Sequence, residues 1–154
     1  MSQAVEHTVF TLERWLATSP RHAFRFWSDA NLKARWNECH PDWTVIEDSH
    51  DFKVGGEERK RWQTIDGQEQ TFTAHYLDIV PEQRIIYAYE MSFAGKRLSA
   101  SLVTITLTPK ENETRMIYTE QVVLLDSDDP DARQHRVHGT EHGLDRLVEI
   151  VADE

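Results

Sequence analysis

The sequence has one cysteine, six glycines and five prolines among its 154 residues. A single cysteine, Cys39, excludes a disulfide within the chain and is typical of a reducing cytoplasm. No apolar run approaches the roughly 20 residues that a membrane-spanning helix needs. Internal repeats and low-complexity linkers are also absent, so we expect one domain over residues 1–154, large enough for a sizeable core.

Positive charge is scarce as well: 17 Lys and Arg stand against 27 Asp and Glu, which gives a net charge of −10. Phosphate binding needs a basic patch, so this balance disfavours nucleic acid and anionic membrane surfaces as partners. The first ten residues, MSQAVEHTVF, lack the basic and then apolar order of a signal peptide. We therefore expect a cytoplasmic protein with no membrane span, and no residue pattern indicates a cofactor.

The most regular feature of the chain is a long amphipathic segment at its end, from Asp131 to Asp153. At about 100° per residue, its apolar positions fall on one stripe. The stripe consists of Val137, Thr140, Leu144, Leu147, Val148 and Val151. A helix with one apolar face must cover another layer. The segment therefore predicts a C-terminal helix packed on a sheet.

Turn and cap signals divide the upstream part into a strand, two short helices and about six antiparallel strands. Ser19 and Pro20 predict the start of the first helix, because serine caps helices and proline suits the first helical position. Asp29 predicts the cap of a second helix that ends near Trp36. An acidic loop over 127–131 complements the positive end of the C-terminal helix. The predicted strands cover residues 6–18, 43–48, 57–64, 71–80, 84–93, 98–108 and 114–125. This order indicates the α+β class.

This order of elements resembles the START-like helix-grip superfamily (SRPBCC). Within it, the sequence is similar to the family of the C-terminal domain of activators of the heat-shock-protein-90 ATPase. The ordered set of motifs carries the resemblance, since none of them is specific alone. The motifs are Ser19-Pro20, Phe26-Trp27, residues 32–36, Val54-Gly55-Gly56, residues 78–87, residues 114–116 and residues 143–147. The resemblance implies a curved sheet of about six or seven strands around the long helix, with any pocket between them.

The resemblance leaves the function open, because its members resemble ligand carriers, polyketide cyclases and co-chaperones. The first hypothesis is binding of a hydrophobic or aromatic small molecule. The second is a cyclase or dehydratase that uses Glu120 with Tyr87 or Tyr118 as acid and base. The third is a co-chaperone-like module that stimulates a chaperone ATPase, which the lack of a further partner-binding domain weakens. A homodimer is also left open.

Strand alternation decides which side chains reach the cavity. On the third strand, we place Glu58, Lys60 and Trp62 inward, because relatives usually carry apolar residues at the first positions. The other inward side chains are Tyr76, Tyr87, Tyr89, Val103, Ile105, Leu107, Met116, Tyr118 and Glu120. An unpaired charge in a dry cavity costs several kcal/mol, so the three ionisable groups must be paired, hydrated or near the mouth. One alternative is a register one residue away, which turns Glu58 and Lys60 to the surface. Another is that this part of the strand is a rim at the surface.

The helix contributes Thr140 and Leu144 to the predicted ligand site. Relatives often carry tryptophan where this chain has Thr140, so the smaller side chain would enlarge the pocket, unless another tryptophan fills the space.

Three histidines, His135, His138 and His142, share another helix face with a spacing at which metal ligation is conceivable. That face lies about 140–180° from the apolar stripe, so we expect it to point to solvent and to hold no metal.

Overall fold

Seven strands and three helices form the part of the chain that the computed structural model describes, residues 5–38, 40–125 and 129–154. The elements are β1 (Val5–Leu16), α1 (Pro20–Ser28), α2 (Ala30–Trp36), β2 (Thr44–His50), β3 (Glu57–Gln63), β4 (Glu69–Val80), β5 (Arg84–Phe93), β6 (Lys96–Lys110), β7 (Glu113–Leu125) and α3 (Ala132–Ala152). Cys39 and residues 127 and 128 of the predicted acidic loop lie outside the described residues. The predicted element boundaries agree with these bounds to within two residues.

All strands pair antiparallel in one sheet, in the order β1-β7-β6-β5-β4-β3-β2. The helices α1 and α2 carry the chain from β1 at one edge to β2 at the other. The ladder shifts register at three places, between Val45 and Glu47, between Tyr76 and Asp78, and between Met91 and Ser92. Such irregularities bend and twist the strands that contain them. The predicted α+β helix-grip architecture is confirmed.

The two short helices begin where their capping residues predict. The Ser19 hydroxyl accepts a hydrogen bond from the backbone N–H of His22. The Asp29 carboxylate accepts two, from Asn31 N–H at 2.9 Å and Leu32 N–H at 3.2 Å. Asp29 also ends α1 through its own N–H, so one residue closes the first helix and opens the second. This tight junction sets the two helices side by side at one end of the sheet.

The C-terminal helix α3 buries the predicted stripe. Leu144, Leu147 and Val151 are buried, and Val137 and Val148 are half-buried against them. Full burial of an aliphatic side chain stabilises a fold by roughly 1.5–3 kcal/mol, so these three anchor the second half of the helix. The helix packs against β1 and α2.

Gly56 closes the turn before β3 in a position that has no room for a side chain. A Cβ there would overlap the backbone oxygen of Asp51 and lie 2.9 Å from that of Lys53. We predict that Gly56→Ala lowers the free energy of unfolding by about 1–3 kcal/mol, because backbone must move to admit the methyl group. Urea denaturation measures the change.

The matched control is Gly139→Ala in α3, where an added Cβ meets nothing within 4 Å. Alanine has the higher helix propensity, so this variant should be more stable by about 0.5–1 kcal/mol. Equal effects at the two glycines would contradict the steric explanation.

Candidate functional site

A pocket of about 370 Å³, here the central pocket, lies between the sheet and the three helices. Aromatic rings dominate its wall: Trp27, Trp36, Trp62, Phe72, Tyr87, Tyr89 and Tyr118. The other lining residues are Lys33, Asn37, Gln70, Met91, His135, Arg136, Gly139, Thr140, Gly143 and Leu144. The rings come from four strands and two helices, so only the folded chain brings them together.

The structure divides the predicted ligand site into two groups. Six of the predicted residues line the central pocket: Trp62, Tyr87, Tyr89, Tyr118, Thr140 and Leu144. Glu120 is buried behind this wall and bonds to two of its tyrosines. The remaining residues, Glu58, Lys60 and Tyr76, belong to a second buried group toward β2.

The alternation predicted for β3 agrees with the structure. Glu58 is 1% exposed and Lys60 5%, whereas Arg59 between them is exposed. A register one residue away would have reversed this pattern, so that alternative is wrong.

Glu120 is the acceptor at the centre of the first polar group. Its Oε2 accepts hydrogen bonds from Tyr89 Oη at 2.6 Å, Ser101 Oγ at 2.7 Å and Arg136 Nη1 at 3.0 Å. Its Oε1 accepts one from Tyr118 Oη at 2.7 Å. We call these five residues the Glu120 cluster. Four donors on one carboxylate compensate for its complete burial.

Arg136 links this cluster to the helix α3. It also donates to Ser99 Oγ at 2.6 Å, and its guanidinium lies 5.7 Å from the centre of the Tyr89 ring. Burial by itself lowers the pKa of Arg136, but the neighbouring Tyr89 and Glu120 raise that pKa above its ordinary value. The charged arginine therefore ties the first half of α3 to the sheet.

Sequence reasoning missed Arg136, although two signals pointed to it. Arg136 precedes Thr140 by four residues, which sets both on the same face of the helix. The inward carboxylate of Glu120 also required a cationic partner.

The tyrosines of the central pocket are neutral hydrogen-bond donors. Burial is the main cause that raises the pKa of Tyr87, Tyr89 and Tyr118 above the ordinary tyrosine value. The hydroxyls of Tyr89 and Tyr118 donate to Glu120. These two residues therefore contribute their rings to the pocket wall, and their hydroxyl protons are already used in hydrogen bonds.

Glu58 is the centre of the second polar group, here the Glu58 cluster of Lys33, His50, Glu58, Lys60 and Tyr76. Its Oε1 accepts from Lys33 Nζ at 2.6 Å and from Tyr76 Oη at 2.8 Å. Burial raises the pKa of Glu58, but Lys33 and Lys60 lower it more, so the net shift is below the ordinary value. Glu58 is therefore an ionised carboxylate at neutral pH.

Lys33 was also missed at the sequence level. It lies three residues before Trp36, and both side chains are buried on the inner face of α2. Burial lowers the pKa of Lys33 despite its contact with Glu58. The spacing to Trp36 was the signal that could have identified it.

The helix face with three histidines points to solvent, as predicted. His138 and His142 are exposed, and the His135 side chain is 69% exposed, with Nδ1 2.6 Å from Asp129 Oδ2. His135 nevertheless borders the central pocket. Within residues 5–38, 40–125 and 129–154, no three His, Cys, Asp or Glu side chains are grouped for one metal ion. None of the described helices is both long and apolar enough to cross a membrane.

An antiparallel sheet that closes on a C-terminal helix, with a ring-lined pocket between them, defines a START-like helix-grip protein. Residues 17–152 match the family model described as "Activator of Hsp90 ATPase homolog 1-like protein". The chain belongs to this family. No curated protein matches it.

Solved structures agree with this assignment. A protein from Rhizobium leguminosarum is 40% identical, with both chains covered over 100% of their length and a TM-score of 0.91. Mll3558 from Rhizobium loti is 37% identical over 95% of this chain and 98% of its own, with a TM-score of 0.85. CV1439 from Chromobacterium violaceum is 26% identical over 93% and 96%, with a TM-score of 0.74. None of these names states an activity or a ligand.

Proposed function

We propose that this protein binds a small aromatic molecule in the central pocket. The observation that carries the proposal is a volume of about 370 Å³ with seven aromatic rings on its wall. Small-molecule sites typically measure about 300–1,000 Å³ and are mostly apolar, so this volume suits a ligand of one or two rings. Offset and edge-to-face contacts with the wall would hold such a ligand.

The charges on the wall favour a ligand that also carries a hydrogen-bond acceptor. Lys33 and Arg136 border the pocket directly, whereas Glu58 and Glu120 do not. Lys33 also lies 5.9 Å from the centre of the Trp27 ring. An acidic or carbonyl group on the ligand could accept from these cations, while a cationic ligand would be repelled.

The acid–base alternative has weaker support from the geometry. Both oxygens of Glu120 already accept hydrogen bonds, four in total, including one from the charged Arg136. A catalytic carboxyl must exchange protons with a substrate within hydrogen-bond reach. Glu120 instead binds the tyrosines of the pocket wall and Arg136. Stimulation of a chaperone ATPase stays a prediction that is based on the family name alone.

Thr140→Trp tests the proposal by filling the pocket. Thr140 lines the central pocket, and its hydroxyl donates only to the Arg136 backbone oxygen, so an indole would extend into the open volume. The probe is 2-naphthoate, which combines two rings with a carboxylate. We expect saturable binding by the wild-type protein in isothermal titration calorimetry, and Thr140→Trp to weaken it at least about tenfold by occupying the same space.

Thr140→Val is the matched control, since it removes the hydroxyl and keeps the volume. It should bind 2-naphthoate within about threefold of the wild type, because the lost hydrogen bond lies within the helix. Native mass spectrometry of protein purified from its host should also show a bound small molecule. Undiminished binding by Thr140→Trp, or no naphthoate binding together with a ligand-free mass, would overturn the proposal.

A further inference from the structure

A second cavity of about 280 Å³, here the side pocket, lies between α2 and the strands β2 and β3. Its charged and polar lining residues are Asn31, Lys33, Asp48, His50, Glu58 and Lys60. Lys33 also borders the central pocket, so this one residue contributes to both walls.

The buried charges of the side pocket do not balance. Two ammonium groups, on Lys33 and Lys60, share the single buried carboxylate of Glu58. Lys33 takes the close position, with Nζ 2.6 Å from Glu58 Oε1. The Lys60 side chain is only 6% exposed, and its Nζ lies 3.6 Å from Glu58 Oε2, beyond hydrogen-bond distance. No hydrogen bond joins this ammonium to any residue that the structure describes.

Asp48 is the other carboxylate at the pocket and lies opposite Lys60 in the β2–β3 ladder. It acts on Lys33 from a distance, but it is exposed, so water screens its charge and it supplies only part of the missing negative charge. Burial, and then the nearby Lys33, lower the pKa of His50, which leaves the imidazole neutral at neutral pH. The Tyr76 hydroxyl donates its hydrogen bond to Glu58, so His50 Nε2 must be the donor in its 3.2 Å contact with Tyr76 Oη. The buried groups therefore carry one excess positive charge.

One carboxylate oxygen of Glu58, next to Lys60, lacks a hydrogen-bond donor. This oxygen, Oε2, is buried and accepts no hydrogen bond. This unsatisfied acceptor lies 3.6 Å from the Lys60 ammonium, and both residues line the same cavity. Leaving a buried acceptor unpartnered is costly, and one ligand with a donor beside an acceptor would satisfy it and pair with the ammonium.

We propose that the side pocket binds a small 2-hydroxycarboxylate. The carboxylate of the ligand accepts from the Lys60 ammonium, and its hydroxyl donates to Glu58 Oε2. The single negative charge of the ligand balances the excess positive charge of the buried groups. The adjacent hydroxyl and carboxylate of such a ligand can reach two protein atoms that lie 3.6 Å apart.

The first test titrates the wild-type protein with sodium glycolate at constant ionic strength and pH 7, followed by ¹H–¹⁵N NMR. We expect saturable shifts centred on the backbone amides of Lys33, Glu58 and Lys60. Acetate has the same charge and lacks the hydroxyl, so it should bind at least about tenfold more weakly, which is roughly the value of one hydrogen bond to a charged group. Equal affinities for the two anions, or shifts that fail to saturate or centre elsewhere, would overturn the proposal.

The second test compares Lys60→Met with Lys53→Met. Lys60→Met keeps the Lys33–Glu58 pair and removes the cation that would hold the ligand, so glycolate affinity should fall at least about tenfold. Lys53 has a side chain 71% exposed on the loop before β3, and its replacement should leave the affinity unchanged. Unchanged binding by Lys60→Met would overturn the assignment. If Lys60→Met does not fold, the glycolate and acetate titrations of the wild type decide the question alone.

Discussion

Replacing Glu58 with glutamine will lower the free energy of unfolding by about 3–5 kcal/mol, the usual cost of breaking a buried ion pair. The variant leaves the ammonium groups of Lys33 and Lys60 buried without a carboxylate. An amide of nearly the same shape keeps the packing and an acceptor for Tyr76, so the loss reports the charge. Urea denaturation at pH 7 measures it.

The pH dependence of Glu58→Gln identifies the cause. Burial already lowers the pKa of Lys33 in the wild type, and loss of the carboxylate must lower it further. The unfolded chain then binds a proton that the folded variant releases, so the stability of the variant should rise with pH toward about 10.4. Glu57→Gln on β3 is the control, because the half-buried Glu57 pairs with Arg59 and His75 at the surface, and it should cost no more than about 1 kcal/mol. A loss below about 1 kcal/mol at position 58 would contradict a charged Lys33–Glu58 pair.

Glu120→Gln is expected to cost about 3 kcal/mol or more, because it leaves the largely buried guanidinium of Arg136 without its counter-ion. The substitution also removes the charged acceptor of Tyr89, Tyr118 and Ser101. Since Arg136 ties the first half of α3 to the sheet, hydrogen exchange of the amides of residues 136–140 should accelerate more than that of residues 144–151. Thermal denaturation and exchange measured by mass spectrometry give the two readouts.

The double variant Glu120→Gln/Arg136→Met separates the ion pair from the rest of the cluster. If the pair dominates, the double variant should be more stable than Glu120→Gln, because no buried charge is left unpaired. Glu13→Gln serves as the control, since Glu13 pairs with Arg115 at the surface and should contribute no more than about 1 kcal/mol. Similar losses at positions 13 and 120 would show that burial is not the cause.

Local sequence signals were sufficient to predict the helices and strands of this protein. Ser19 and Asp29 satisfy the N–H groups of the helices that follow them, which requires only a few neighbouring residues. Strand alternation is also local and divides the side chains of β3 into two faces, while the family resemblance indicated that Glu58 and Lys60 are on the inward face. The family resemblance then supplied the order in which these elements pack.

Local sequence signals were not sufficient to predict which polar side chains pair inside the fold. Lys33 and Glu58 are 25 residues apart, and Arg136 and Glu120 are 16 apart on different elements. Which helix side chain meets which strand depends on the rotation of each helix over the sheet. Apolar periodicity alone does not predict that rotation when lysine or arginine occupies some of the buried positions.

By itself, the sequence determined the α+β class, the helix starts and the alternation along β3, because caps, turns and alternation act over a few residues. Only the tertiary structure showed that the predicted site residues fall into two groups. Six of the predicted residues line the central pocket, while Glu58, Lys60 and Tyr76 lie in the Glu58 cluster beyond it. The physical reason is that Lys33 and Arg136 project from helices onto separate carboxylates of the sheet, and each pair organises its own part of the interior.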